Sequence, residues 1–283
     1  MKVIRAATEG VERGKSKPKK LILLVFLLTT LAACGSSPTH LPSPTPLPPQ
    51  PTSASNVIRL ANGSWEPFNG PDLPHAGCDS WVIQEAFALA GFDVEYSFFP
   101  WARSYSLSAS GEWDGTLNWA DTPEHRAQHY LSAEPTSIQE WVFFYRIDRP
   151  LVWKTMDDLK GKTIGTTAGF VYSDIFKDLR LSGDATFVES SSDDANFKML
   201  LAGRIDVFLS ERQVGTYRIK SIFTPEQQAQ LVGSPQSFSQ YESYLLLSKA
   251  KPENEQRMIL FNQGFKELQA NGRYAEIMKS CTP

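Results

Sequence analysis

The chain has 283 residues, a formal net charge of −3, 41% hydrophobic residues and 21% charged residues. This is the profile of a folded chain of about two domains, and it excludes a small disulfide scaffold or a short single module. The mild acidity argues against nucleic-acid binding, which needs a basic face to meet phosphates.

Residues 1–33 differ from the rest. Lys2, Arg5, Arg13, Lys15, Lys17, Lys19 and Lys20 outweigh Glu9 and Glu12, leaving about +5, and an apolar run follows from Leu21 to Leu31. As a helix that run rises about 16 Å, short of the ~20 residues of a membrane span. A basic start, a short apolar run and small residues describe an export signal. Leu31-Ala32-Ala33-Cys34-Gly35 resembles the lipobox of bacterial lipoproteins, in which the cysteine becomes the first mature residue and carries acyl chains such as palmitate. The alternative is an ordinary secretory signal with an incidental cysteine. Residues 35–55 hold seven prolines and no periodic apolar face. Such a segment favours extended polyproline II and spans up to roughly 65 Å as a tether. Residues 34–55 are therefore expected to anchor and tether, and 56–283 to fold with a charge near −8. Cys78 and Cys281 remain in an oxidising compartment, where they can bridge or stay as separate buried thiols. No closely spaced His/Cys set points to a metal site or cofactor.

In the folded part, Val57–Ala61 reads as a strand ended by Asn62-Gly63. Asp79 or Ser80 is placed to cap a helix through Trp81, Val82, Ala86 and Phe87, stopped by Gly91. Val94–Phe99 reads as a strand, Pro100-Trp101 opens a helix towards Gly111, and Gly115–Trp119 is a third strand. Trp141–Tyr145 is a short buried strand, followed at Arg146–Pro150 by an expected crossing between domains. A second series follows: a helical turn at 156–159, a strand at 162–165, a helix at 172–179, a strand at 187–189, a helix at 194–201 and a strand at 205–209. Tyr244–Leu247 reads as the return crossing, and a final helix carries Ile259, Phe261, Phe265, Leu268 and Ile277, interrupted at Gly272. Strand–helix alternation of this kind marks an α/β layer fold.

Five segments, in order, carry a resemblance. They are Trp65-Glu66-Pro67-Phe68; Gly111-Glu112-Trp113-Asp114-Gly115 with Thr122-Pro123-Glu124-His125-Arg126 and Glu134-Pro135; Asp158-Leu159-Lys160-Gly161-Lys162-Thr163-Ile164-Gly165; Met199-Leu200-Leu201-Ala202-Gly203-Arg204-Ile205-Asp206; and Phe261-Asn262-Gln263-Gly264-Phe265 with Asn271-Gly272-Arg273-Tyr274. Together they resemble the family-3 extracytoplasmic solute-binding proteins of polar amino acid ABC importers. The resemblance implies a two-lobe periplasmic-binding-protein fold of type II, α/β in class, hinged on two crossing strands. Lobe 1 is then expected at 56–145 plus 242–283, and lobe 2 at 146–241.

The resemblance also implies the site. Arg126, nine residues before Pro135, fits the clamp on a ligand carboxylate, for which a planar guanidinium offers two parallel hydrogen bonds. Glu211 stands where an aspartate usually meets the ligand ammonium. The Thr166–Tyr172 stretch supplies a helix-start anion site, with Thr167, Phe170 and Val171 as contacts. Trp65 and Trp101 form an aromatic wall, and Asn62, Asn118, Trp119 and Asp121 fall on contact positions. Trp119 and Asp121 replace small residues and point to a smaller or cationic solute.

The implied function is capture of a small polar solute, an amino acid or related carboxylate, for an ABC permease. It would be performed by a monomer held by lipid at a bacterial membrane, on its periplasmic or outer side. The resemblance also admits a cleft enzyme of the cyclohexadienyl dehydratase type, needing a general acid such as Glu211, Asp121 or His125, or a sensor input. No nucleophile elbow or phosphate loop appears, so binding without catalysis is the expectation.

Overall fold

The structure, a computed structural model, describes residues 56–168 and 176–282. The basic leader, Cys34, the proline-rich segment, Phe170 and Val171 lie outside the described residues.

The first lobe begins with β1 (Val57–Asn62), α1 (Cys78–Ala88), β2 (Asp93–Phe98), α2 (Trp101–Ala109) and β3 (Gly115–Trp119). β2 and β3 both run parallel to β1. The inward residues Ile58, Leu60 and Leu117 are fully buried, as strands covered by helices on their faces require. α1 starts after Gly77 rather than at a side-chain cap. Asp79 and Ser80 therefore lie in its first turn, both fully buried. Asp79 accepts from the Ser137 hydroxyl at 3.2 Å, and burial pushes its carboxyl up to about 6.

Short α3 (Pro123–Gln128) and β4 (His129–Leu131) precede β5 (Ser137–Arg146). Ser137–Trp141 of β5 pairs antiparallel with residues 239–243 of β10 (Ser239–Ser248). The rest of β5 then turns to β8 (Val207–Glu211), with Phe144 opposite Phe208. Trp141, Val142, Phe143 and Phe144 all pack in the second lobe's cores. The passage between lobes thus falls on the first half of β5, not at Arg146–Pro150. Arg146 lies inside the second lobe, opposite Leu231 and donating to the Leu201 carbonyl at 2.7 Å. The return lies on Ser239–Ser243, just ahead of Tyr244–Leu247, which belongs to the first lobe's side through β3 and β4.

The second lobe contains β6 (Thr163–Thr167), α4 (Lys177–Ser182), β7 (Thr186–Ser190), α5 (Asp193–Leu201), β8, α6 (Arg212–Ile222), α7 (Pro225–Gln228) and β9 (Leu231–Gly233). β6 is parallel to both β7 and β8. The sequence pattern misses α6 because Gly215 and Thr216 interrupt its apolar face. Its start is set by Glu211, whose side chain accepts from the Val214 amide. The full sheet order is β2-β1-β3-β10-β5-β8-β6-β7.

The chain closes on the first lobe with α8 (Asn254–Ala270) and α9 (Arg273–Lys279), separated at Gly272. α8 lies against α1 so closely that a Cβ at Gly264 would collide with the Ala86 carbonyl. Phe87 and Phe261 meet there with ring centroids 5.1 Å apart. Cys78 and Cys281 are joined by a disulfide with Cα atoms 5.5 Å apart, tying the start of α1 to the end of the fold.

Candidate functional site

In open α/β sheets, ligands bind beyond the carboxyl ends of the strands. Here those ends are Asn62 and Trp119 in the first lobe, and Thr167 and Glu211 in the second.

Asn62 is fully buried, and neither its amide nitrogen nor its amide oxygen has a hydrogen-bond partner. An unmet buried polar atom costs about 1–3 kcal/mol, and this amide leaves a donor and an acceptor unmet at the end of β1. Gly63 follows, and a Cβ there would run into the Trp101 ring. That contact lets the indole lie directly on the strand end. Trp65 packs against the cores of both lobes, with its ring 6.3 Å from Trp141. Beside it, Glu66 receives the Arg218 guanidinium from α6 at 2.8 Å, an ion pair that joins the lobes.

From Trp101 an aromatic wall continues along the first lobe. Trp119 is 5.5 Å from Trp101, 5.2 Å from Tyr105 and 5.4 Å from His125. Its indole nitrogen donates to Thr116 behind it at 2.9 Å, which fixes the ring.

Other site positions are engaged within the protein. Asn118 adopts φ 68°, a left-handed conformation that asparagine tolerates. Its side-chain oxygen accepts from Gln139 and Ser243, both at 2.6 Å, and its nitrogen donates to Asn69 at 3.4 Å. One amide therefore joins the end of β3 to both crossing strands. Arg126 and Asp121 form a two-bond pair at 2.5 Å for each bond, and the Arg126 side chain is 62% exposed. The guanidinium fork is paired with the carboxylate of its neighbour Asp121. Glu211 is fully buried and accepts from the amides of Val214 at 2.8 Å and Glu140 at 3.2 Å. Its carboxylate staples α6 to the crossing strand, and burial pushes it up to about 7. Thr167 is buried and donates to Asp193 at 2.6 Å while accepting from Asn196 at 2.9 Å.

No sequence motif points to the Glu66–Arg218 pair, Gln139, Ser243 or Asp193. Glu66 lies in the Trp65–Phe68 motif, but Arg218 lies on α6, whose apolar face Gly215 and Thr216 interrupt. Among the described residues no His, Cys, Asp or Glu cluster is placed to hold a metal ion.

Two α/β lobes joined by two crossing strands define a periplasmic-binding-protein fold of type II. Residues 58–281 match the model of the bacterial extracellular solute-binding proteins, family 3, and the chain belongs to that family. It is 27% identical over 213 residues to the L-cystine-binding protein TcyJ of Escherichia coli (strain K12), covering 74% of this chain and 76% of that protein. Among solved structures, it superposes on the second substrate-binding domain of Lactococcus lactis GlnP in its open conformation. That match has a TM-score of 0.62 and 21% identity, and covers 82% of this chain and 97% of the other. An ancestral cationic amino acid solute-binding protein gives a TM-score of 0.64 at 17% identity, covering 81% and 96%. A histidine kinase sensor domain gives 0.61 at 19% identity, covering 80% and 95%.

Proposed function

We propose that this protein captures a small polar, amino-acid-like solute between its lobes outside the cytoplasm and passes it to an ABC permease. The observation that carries this reading is Asn62: a buried amide with both polar atoms unmet, at a strand end flanked by Trp65 and Trp101. A solute bearing both hydrogen-bond donors and acceptors would relieve that cost. The relatives named for binding cystine and cationic amino acids support the solute class.

In this reading, residues 1–33 direct export, Cys34 carries the lipid, and residues 34–55 tether the fold to the membrane. The first lobe comprises the stretch from residue 56 to the crossing on β5 together with the C-terminal part from β10 onward. Closure brings Thr167 and α6 against Asn62 and Trp65. A ligand shifts the lobes only by preferring the closed state. The similarity to a kinase sensor domain favours a second use of the same closure, in signalling.

Titration calorimetry against L-amino acids, polyamines and small organic acids tests the reading. Saturable binding of one class, weakened at least tenfold by Asn62→Leu, is the expected result. Heats indistinguishable from dilution across the panel would reject it.

A further inference from the structure

Where the two crossing strands leave the first lobe, they stand against a buried carboxyl. Ser137 of β5 lies directly opposite Ser243 of β10. Each is tied to the first lobe by its hydroxyl, Ser137 to Asp79 of α1 at 3.2 Å and Ser243 to Asn118 of β3 at 2.6 Å. Asp79 is fully buried, and its Oδ1 has no hydrogen-bond partner. The titratable groups around it are two phenols. Tyr96 from β2 donates to the Ser80 carbonyl at 2.7 Å, and Tyr274 from α9 donates to the Thr136 carbonyl at 3.1 Å. No charged group of α8, β5 or β10 acts on Asp79. Burial without a paired cation pushes its carboxyl up to about 6.

Thr136 connects this carboxyl to the hinge. Its amide and its hydroxyl both donate to the Ser243 carbonyl, at 2.7 and 3.2 Å. The same hydroxyl lies within reach of Asp79 and favours its ionised form. A hydroxyl has one proton to give. While Asp79 is protonated it makes little demand on that proton, and Thr136 joins the entry of β5 to β10 through both bonds. Once Asp79 ionises, its carboxylate is the stronger acceptor. It then draws the Thr136 proton along with that of Ser137, and the side-chain tie to β10 is given up. The doubly tied form is the one in which Glu66 of the first lobe meets Arg218 of the second.

We propose that Asp79 is a proton-linked positioning residue for the hinge. Acting through the Thr136 and Ser137 hydroxyls, it sets how firmly the crossing strands are joined where they leave the first lobe, and so tunes solute capture with pH. The coupling to capture rests on the solute-binding reading above; the change at the hinge does not.

The test uses the full chain, and its first arm needs no solute. Hydrogen-exchange mass spectrometry, corrected for intrinsic rates, is run from pH 5 to 8. Peptides covering residues 136–141 and 239–243 are expected to lose protection above about pH 6, while those of α8 keep it. Asp79→Asn should remove the step. Thr136→Val leaves the carboxyl to titrate but takes away the hydroxyl, and should remove the step as well, so it decides if Asp79→Asn fails to fold. In the second arm L-arginine is titrated calorimetrically. Its affinity is expected to be about fivefold higher at pH 5.5 than at pH 7.5, a ratio lost in both variants. The absence of a step overturns the proposal. So does a step that persists in Thr136→Val or spreads equally over α8, since Asp79 would then only destabilise the lobe. An arginine affinity with the same pH dependence in both variants overturns the coupling to capture. If arginine does not bind, the exchange step alone decides: lost in Thr136→Val it supports the proposal, otherwise it overturns it.

Discussion

The first lobe is assembled from both ends of the described chain. α8 and α9 return to cover α1, and the Cys78–Cys281 bridge joins residues 203 apart in sequence. One continuous core, from Ile58 to Cys281, fills it and takes in Val214 of α6 from the second lobe. The second lobe, from the late part of β5 to the start of β10, uses one uninterrupted stretch. It has two smaller cores, one around Leu159, Ile164 and Leu209 and another around Phe144, Phe197 and Phe208. Bringing distant segments together carries a larger loop-closure cost than joining near ones, and the lobe with the longer closure is the one held covalently. The second lobe relies instead on local caps, such as Ser192 on α5 and Glu211 on α6. Long-range closure by covalent bond and short-range closure by capping therefore coexist in one molecule.

The strongest way to break this contrast is to remove the bridge. Cys78→Ser with Cys281→Ser is expected to destabilise the first lobe by about 3–5 kcal/mol, the range for a long closed loop. The second lobe should be nearly unaffected, so calorimetric unfolding should separate into two transitions, the earlier one moving with reductant in the unsubstituted protein. A single transition shifted as a whole would show that the lobes unfold together.

The next effect is electrostatic. Glu211 is raised from 4.5 to about 7 by burial, and Asp79 from 3.8 to about 6. In both cases the native state holds a proton that the unfolded chain releases. Stability is therefore full below the unfolded value and falls as pH rises through the native one. Glu211→Gln should remove a loss of about 3 kcal/mol between pH 4.5 and 7. Asp79→Asn should flatten the lower window, between about pH 4 and 6, in the first lobe. Melting temperatures across pH 4–8 check both, and an unchanged slope in either variant would refute its assignment.

The smallest expected effect joins the two regions. Glu66 and Arg218 are partly exposed, with side-chain accessibilities of 19% and 36%, so Arg218→Met should cost the closed arrangement about 1 kcal/mol or less. Solution X-ray scattering should show a larger radius of gyration for the variant, restored towards the original value by a bound solute. An unchanged radius would mean that the pair does not hold the lobes.

Local pattern made much of the fold legible. β1, β2, α2 and β3 follow from alternation, a proline-led helix start and glycine stops, because parallel α/β units record their buried faces in neighbouring residues. The crossing and α6 were not legible. Trp141–Phe144 is apolar enough to suit either lobe, and only pairing with β8 assigns it. The strand ends Asn62 and Trp119 can be picked out along the chain, and the family resemblance points to Trp65 and Trp101 beside them. What each polar side chain faces is not legible there. Arg126 meets Asp121 and His125 turns to Ala120, choices of a short helix folded against a strand end. Glu211 meets Glu140 across a sheet, and Asn118 meets Gln139 and Ser243 from the two crossings. The sequence by itself determined the layered units and their order, because burial periodicity is local. Only the tertiary structure decided which polar side chains pair with which, because a hydrogen bond is directional and its partner can lie anywhere along the chain.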